Sequence, residues 1–173
     1  MKNETVQFNV QWEGPLSYEN AEKLKNLSID YGVYQIYGAH PVYGSNVLLY
    51  IGKANQHTFG EHLGREACNF HNQDSGQVTI YVGRLSGYKV PISNVAWSEQ
   101  IALVERLLIY SHWPAGNTLG LNDAFDENLY DIHVLNWGKY RNLLPEISGA
   151  RYSNRFSSVE EFTENDGSVQ LTT

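Results

Sequence analysis

The chain is poor in the residues that cross-link, chelate or span. Of its 173 residues one, Cys68, is cysteine, so no internal disulfide can form. The six histidines and that cysteine show no paired ligand spacing, which argues against a zinc site. The glycine-containing run Gly60-Glu61-His62-Leu63-Gly64-Arg65 lacks the phosphate-loop pattern of nucleotide-binding proteins. No apolar stretch reaches the roughly 18 residues that cross a bilayer, and no basic region followed by an apolar run and a small-residue cleavage site opens the chain. These absences predict a soluble cytoplasmic protein in a reducing compartment, with no membrane partner. Internal repeats and low-complexity tracts are also missing. With 42% hydrophobic content, the chain is long enough for one substantial core and short for two, so a single domain is expected.

Positive charge is scarce as well, at 12 basic against 19 acidic residues. Such a balance predicts poor unselective affinity for a polyanion. The charge is uneven, however. Lys139, Arg141, Arg151 and Arg155 face only Glu146 within residues 138–156, whereas Glu160, Glu161, Glu164 and Asp166 crowd the end. The basic stretch is a candidate phosphate-contacting surface, and the acidic one reads as a solvated, mobile tail.

What is abundant is aromatic and β-branched residues in short runs. Residues 1–16 alternate through Val6, Phe8, Val10 and Trp12, as an edge strand would. Ser17 is a plausible N-cap for a helix from Tyr18 to Leu27. Strands are expected at 32–37 and 47–52, joined by a turn-rich connection over 38–46 into an antiparallel hairpin. A helix follows over 58–71, then a strand from Gln77 to Leu85, a loop over 83–94, a long helix from Val95 to His112 stopped by Pro114 and Gly116, and a strand from Leu129 to Trp137. Leu143 to Ile147 reads as an apolar patch in a loop. The fold class is α+β, a small mixed or antiparallel sheet flanked by helices. By organisation, residues 1–30 read as an N-terminal extension, 31–120 as the core, 121–156 as a C-terminal strand with the basic segment, and 157–173 as the tail.

Two of these strands carry tyrosine triplets, Gly32-Val33-Tyr34 and Tyr50-Ile51-Gly52. A glycine weakens a strand interior, and is best explained where a backbone or ligand approaches closely. Lys53 follows directly, then Arg65 in one predicted helix, Glu105 in the next and Asn117 beyond it. Glu105 stands out without any comparison, because its helical neighbours Ile101, Ala102, Leu108 and Ile109 are all apolar. A carboxylate in the core-facing stripe needs a partner: either an arginine or tyrosine hydroxyl, in a structural pair, or a hard divalent cation.

In this order the residues resemble the GIY-YIG nuclease family over about residues 32 to 117. The resemblance implies an endonuclease hydrolysing DNA phosphodiester bonds with one Mg²⁺ or Mn²⁺, of repair, mobile-element or restriction type. Phosphodiester cleavage needs a nucleophile near neutral pH, stabilisation of charge at phosphorus and help for the departing oxygen. The resemblance makes Tyr34 the general base on water, Tyr50 the residue that orients water or phosphate, and Lys53 an added positive charge. Arg65 holds phosphate oxygens, Glu105 binds the metal, and Asn117 fixes the loop after the helix. Tyr34, Tyr50, Arg65 and Glu105 are expected to converge on one cleft. The chain departs from the family in having Asn69 where several members carry histidine, with His62 and His71 the nearest imidazoles, and in a long interval between Tyr50 and Arg65. The alternative from another class is a catalytically inactive module of the same fold that binds nucleic acid or protein.

Overall fold

A computed structural model of the chain describes residues 5–63, 78–86, 94–118 and 125–153. Its sheet is built outward from the first strand, β1 (Val6–Leu16), which buries Phe8, Val10 and Trp12 and pairs on both sides. The other elements are α1 (Tyr18–Ala21), β2 (Gly32–His40), β3 (Gly44–Ala54), a helical run α2 over 59–63, β4 (Thr79–Ser86), α3 (Asn94–His112), β5 (Ile132–Gly138) and the short β6 (Glu146–Ser148). The strands form one six-stranded mixed sheet in the order β3-β2-β4-β1-β5-β6. Only β1 and β5 run parallel, Val6 opposite Ile132 through Trp12 opposite Gly138; the other pairs are antiparallel. The α+β expectation holds at this level.

Several local expectations are corrected. β1 is interior, between β4 and β5, because its alternating apolar residues need a layer on one face and its backbone finds partners on both sides. The N-terminal segment is thus part of the sheet that carries the tyrosine strands. The hairpin is longer than expected, its strands continuing to His40 and from Gly44 so that only 41–43 turn. Ser17 does cap α1, its hydroxyl accepting from Asn20 N at 3.3 Å, but that helix stops at Ala21. The Leu143–Ile147 patch is built into the fold: Leu143 and Ile147 are buried, and Ile147 lies in β6.

Helices cover both faces. α3 lies over one, packing Ile101, Val104 and Leu108 against Val10, Val33, Ile51 and Val134. On the other face Ala21 of α1 and Phe59 and Leu63 of α2 close over Tyr34, Ile36, Ile80 and Val82. A capping box starts α2, with the Thr58 amide and hydroxyl donating to Glu61 Oε2 at 3.1 and 3.2 Å. Arg84 ties the layers together, donating to Asp30 Oδ1 at 2.7 Å and Glu13 Oε2 at 2.8 Å. Burial works against its charge, but these two carboxylates hold its guanidinium protonated above the ordinary arginine range.

Candidate active site at the edge strand

β3 is the outer strand on its side of the sheet, and the candidate residues sit along its second half. Tyr34 of β2 pairs with Gly52 of β3, and Ile36 with Tyr50. The phenol rings of Tyr34 and Tyr50 lie 6.0 Å apart, and the His62 ring of α2 lies 5.8 Å from Tyr34. Gly52 makes this possible, since a Cβ there would overlap the Tyr34 hydroxyl and fall 2.6 Å from Tyr50 Cε1. Gly32, at φ 147°, has an equivalent reason: a Cβ would collide with the carbonyl oxygen of Gly83 on β4. The glycines of both triplets are places of close approach, and Gly52 admits two phenols. Tyr34 is fully buried, whereas Tyr50 is half-buried.

One residue further along β3, Lys53 projects to the opposite face and donates to Glu105 Oε2. Strand alternation dictates this, because Tyr50 and Gly52 share a face with Tyr34 and α2, while Ile51 and Lys53 face α3. Glu105 is 8% exposed, placed where its apolar neighbours put it, in the stripe that α3 turns to the sheet. Burial raises its carboxyl above the usual carboxylate range, and the nearby Lys53 and Arg106 offset only part of the shift. Among the described residues, Oε2 is engaged by Lys53 and Oε1 has no hydrogen-bond partner.

Asn117 lies at the end of a segment that runs along the β3 edge. Ala115 N donates to Leu48 O at 3.1 Å, and Gly116 N to Leu49 O at 2.6 Å. Asn117 completes the series with its side chain, Oδ1 accepting from Ile51 N and Nδ2 donating to Ile51 O, both at 2.9 Å. Its amide therefore mimics a paired backbone unit. The clamp stops at Ile51. Because residues two apart in a strand direct their backbone groups the same way, the Lys53 amide also points outward. Among the described residues nothing pairs with it.

The described residues of the expected cleft fall on two faces of β3. Two groups lie back to back across β3, Tyr34 with Tyr50 and His62 on one side, Lys53 with Glu105 on the other. Arg65, His71 and Arg155 lie outside the described residues. His62 was visible in the sequence only as an imidazole one turn before Arg65.

The basic stretch is dispersed. Arg141 is used by the fold: its guanidinium stacks 3.9 Å over the Tyr37 ring, donates to Thr79 Oγ1 at 3.1 Å and reaches Asn46 Oδ1. These contacts lie toward the hairpin end of β2, away from Tyr34. Tyr37 beneath it is pushed up to about 12 by burial, its hydroxyl donating to Gln35 Oε1 at 2.8 Å. Lys139 and Arg151 are exposed and remain available to a ligand.

Among the described residues no three His, Cys, Asp or Glu side chains cluster as metal ligands, and no helix is long and apolar enough to cross a membrane. No protein-family model, curated protein or solved structure matches the chain significantly. The site must be read from its own geometry.

Proposed function

We propose that this protein is a GIY-YIG-type endonuclease that hydrolyses DNA phosphodiester bonds at the open edge of β3. One observation carries the reading: the carboxylate of Glu105, held ionisable inside an apolar helix stripe beside Lys53, one residue along β3 from a glycine that seats two phenols. A phosphate at this edge can be reached from both faces. Lys53 offers an ammonium and an outward backbone amide, and Tyr50, half-buried, lies within the same strand. Tyr34 and His62 form the layer behind Tyr50, with Tyr34 the base candidate and His62 its nearest imidazole. Asn117 is a positioning residue, because it acts by fixing the course of β3.

Mg²⁺ or Mn²⁺ suits a site with one carboxylate, since such cations take oxygen ligands and keep several waters. Glu105 would hold the ion, which when bound supplies positive charge beside the scissile phosphate. Lys53 then has a second role, offsetting part of the burial cost of the Glu105 charge when the ion is absent.

The placement of tyrosines and glutamate on opposite faces favours one rival reading, in which Lys53–Glu105 is a structural ion pair and the chain binds without cleaving. Incubating supercoiled DNA with the protein and Mg²⁺ or Mn²⁺ distinguishes the two. Nicked or linear product that disappears in Lys53→Ala and in Tyr50→Phe supports hydrolysis at this edge; intact DNA under all conditions supports the rival.

A further inference from the structure

A pocket of about 510 Å³ opens where the chain leaves β3 and meets the start of α3, lined by Tyr31, Trp97, Asn55, Gln56, Ser98 and Glu99 among others. It adjoins the proposed site. Asn55 is two residues beyond Lys53, and Ser98 is two helical turns, about 10 Å, before Glu105 on the same helix.

Its chemistry is selective. Two aromatic side chains supply flat surface for a planar ring. No lysine or arginine is among these lining residues and Glu99 contributes a carboxylate, so an anionic group is disfavoured. Asn55 has its nitrogen committed, donating to Ser98 Oγ at 2.7 Å and Ser98 O at 3.3 Å, which leaves its carbonyl oxygen as what it can offer a ligand. With the Glu99 carboxylate, that places two acceptors on the wall, beside Gln56, whose amide can donate or accept. The complementary ligand is a planar heteroaromatic ring bearing donor groups.

Building on the proposed nuclease function, we infer that this pocket binds an unpaired nucleobase carrying an exocyclic amine, cytosine, adenine or guanine, one or two nucleotides from the scissile phosphate. A base in a duplex cannot enter a pocket of this shape, so the base must be single-stranded or turned out of its stack. The carboxylate suits the exocyclic amine, and thymine has no such amine.

The test uses the full chain and free nucleosides, which carry no phosphate. Deoxycytidine should quench Trp97 fluorescence saturably, and Trp97→Phe should remove that signal. Glu99 is exposed, so Glu99→Gln keeps the fold; it should weaken deoxycytidine binding about tenfold and leave thymidine binding unchanged. Saturable binding with no DNA cleavage would support the pocket and count against the nuclease. Cleavage without saturable nucleoside binding, or quenching equal in parent, Trp97→Phe and Glu99→Gln, would overturn the pocket assignment and leave the nuclease standing.

Discussion

Burial raises the proton affinity of Glu105 more than Lys53 and Arg106 lower it, so its negative charge is a net cost to the folded state at neutral pH. The sign follows directly. With a folded pKa above the unfolded one, the ionised form is penalised at neutral pH, and the penalty fades as pH falls through the raised value. Glu105→Gln keeps the volume and removes the charge, so its unfolding midpoint at pH 7 should equal or exceed the parent's. Calorimetry at pH 7 and pH 5 should show that difference shrinking on acidification. A markedly lower midpoint would mean the ion pair serves the fold. Gly52 bears on the tyrosines in the same way. Gly52→Ala forces a methyl against both phenols, and denaturant unfolding should show a loss of about 1–3 kcal/mol. The residue-level features were legible in the sequence wherever a residue type violated its element: a carboxylate in an apolar stripe, glycines inside strands. The partners were not. That Lys53 meets Glu105 while Tyr34 meets Tyr50 depends on strand alternation and helix placement together.

Strands with regular alternation or aromatic runs were found in the sequence to within a few residues, and α3 was found nearly whole because proline and glycine bound it. Alternation reports that one face of β1 is buried but not how many neighbours its backbone has, so it does not separate an edge strand from an interior one. The Asn117 clamp was also invisible as geometry, because an asparagine pairing with a backbone unit leaves no periodic signal. Its removal is measurable. Asn117→Ala leaves the amide and carbonyl of Ile51 unpaired at a buried position, which should cost about 1–3 kcal/mol. Catalysis at the neighbouring Gly52–Lys53 edge should fall with it, and a variant with parental stability would show the clamp to be redundant. At the end of α3, His112 Nδ1 donates to Leu108 O at 2.8 Å and Nε2 accepts from Leu144 N at 2.8 Å, so the half-buried ring is held neutral. Burial lowers its pKa. The stability it contributes is complete above the unfolded value of about 6.5 and is lost as pH falls below it. The thermal-stability advantage of the parent over His112→Gln should therefore shrink from pH 7 to pH 5.

At the scale of the whole molecule, the chain closes on itself. β1 pairs with β5 in parallel, the Trp12 indole donates to Asn136 Oδ1 at 2.8 Å, and Lys139 N donates to Trp12 O at 3.1 Å. The sheet that carries the tyrosine strands also holds β1, β5 and β6. A fragment lacking residues 1–16 exposes the edges of β4 and β5 together, and it should be unfolded or aggregated by circular dichroism and gel filtration. A fragment that folds would mean β1 is dispensable. The local charge picture also changes at this scale, because Arg141 is absorbed by Tyr37 and Thr79 while Lys139 and Arg151 stay exposed on an acidic whole. Under the proposed function, Glu105 is retained against its burial cost for chemistry at the β3 edge. The most direct test is cleavage of supercoiled DNA with Mg²⁺ or Mn²⁺ by the parent and Glu105→Gln side by side, their unfolding midpoints measured on the same preparations. The prediction is metal-dependent cleavage by the parent and its loss in a variant that melts no lower. Cleavage by the variant at the parental rate, or loss accompanied by unfolding, would contradict it.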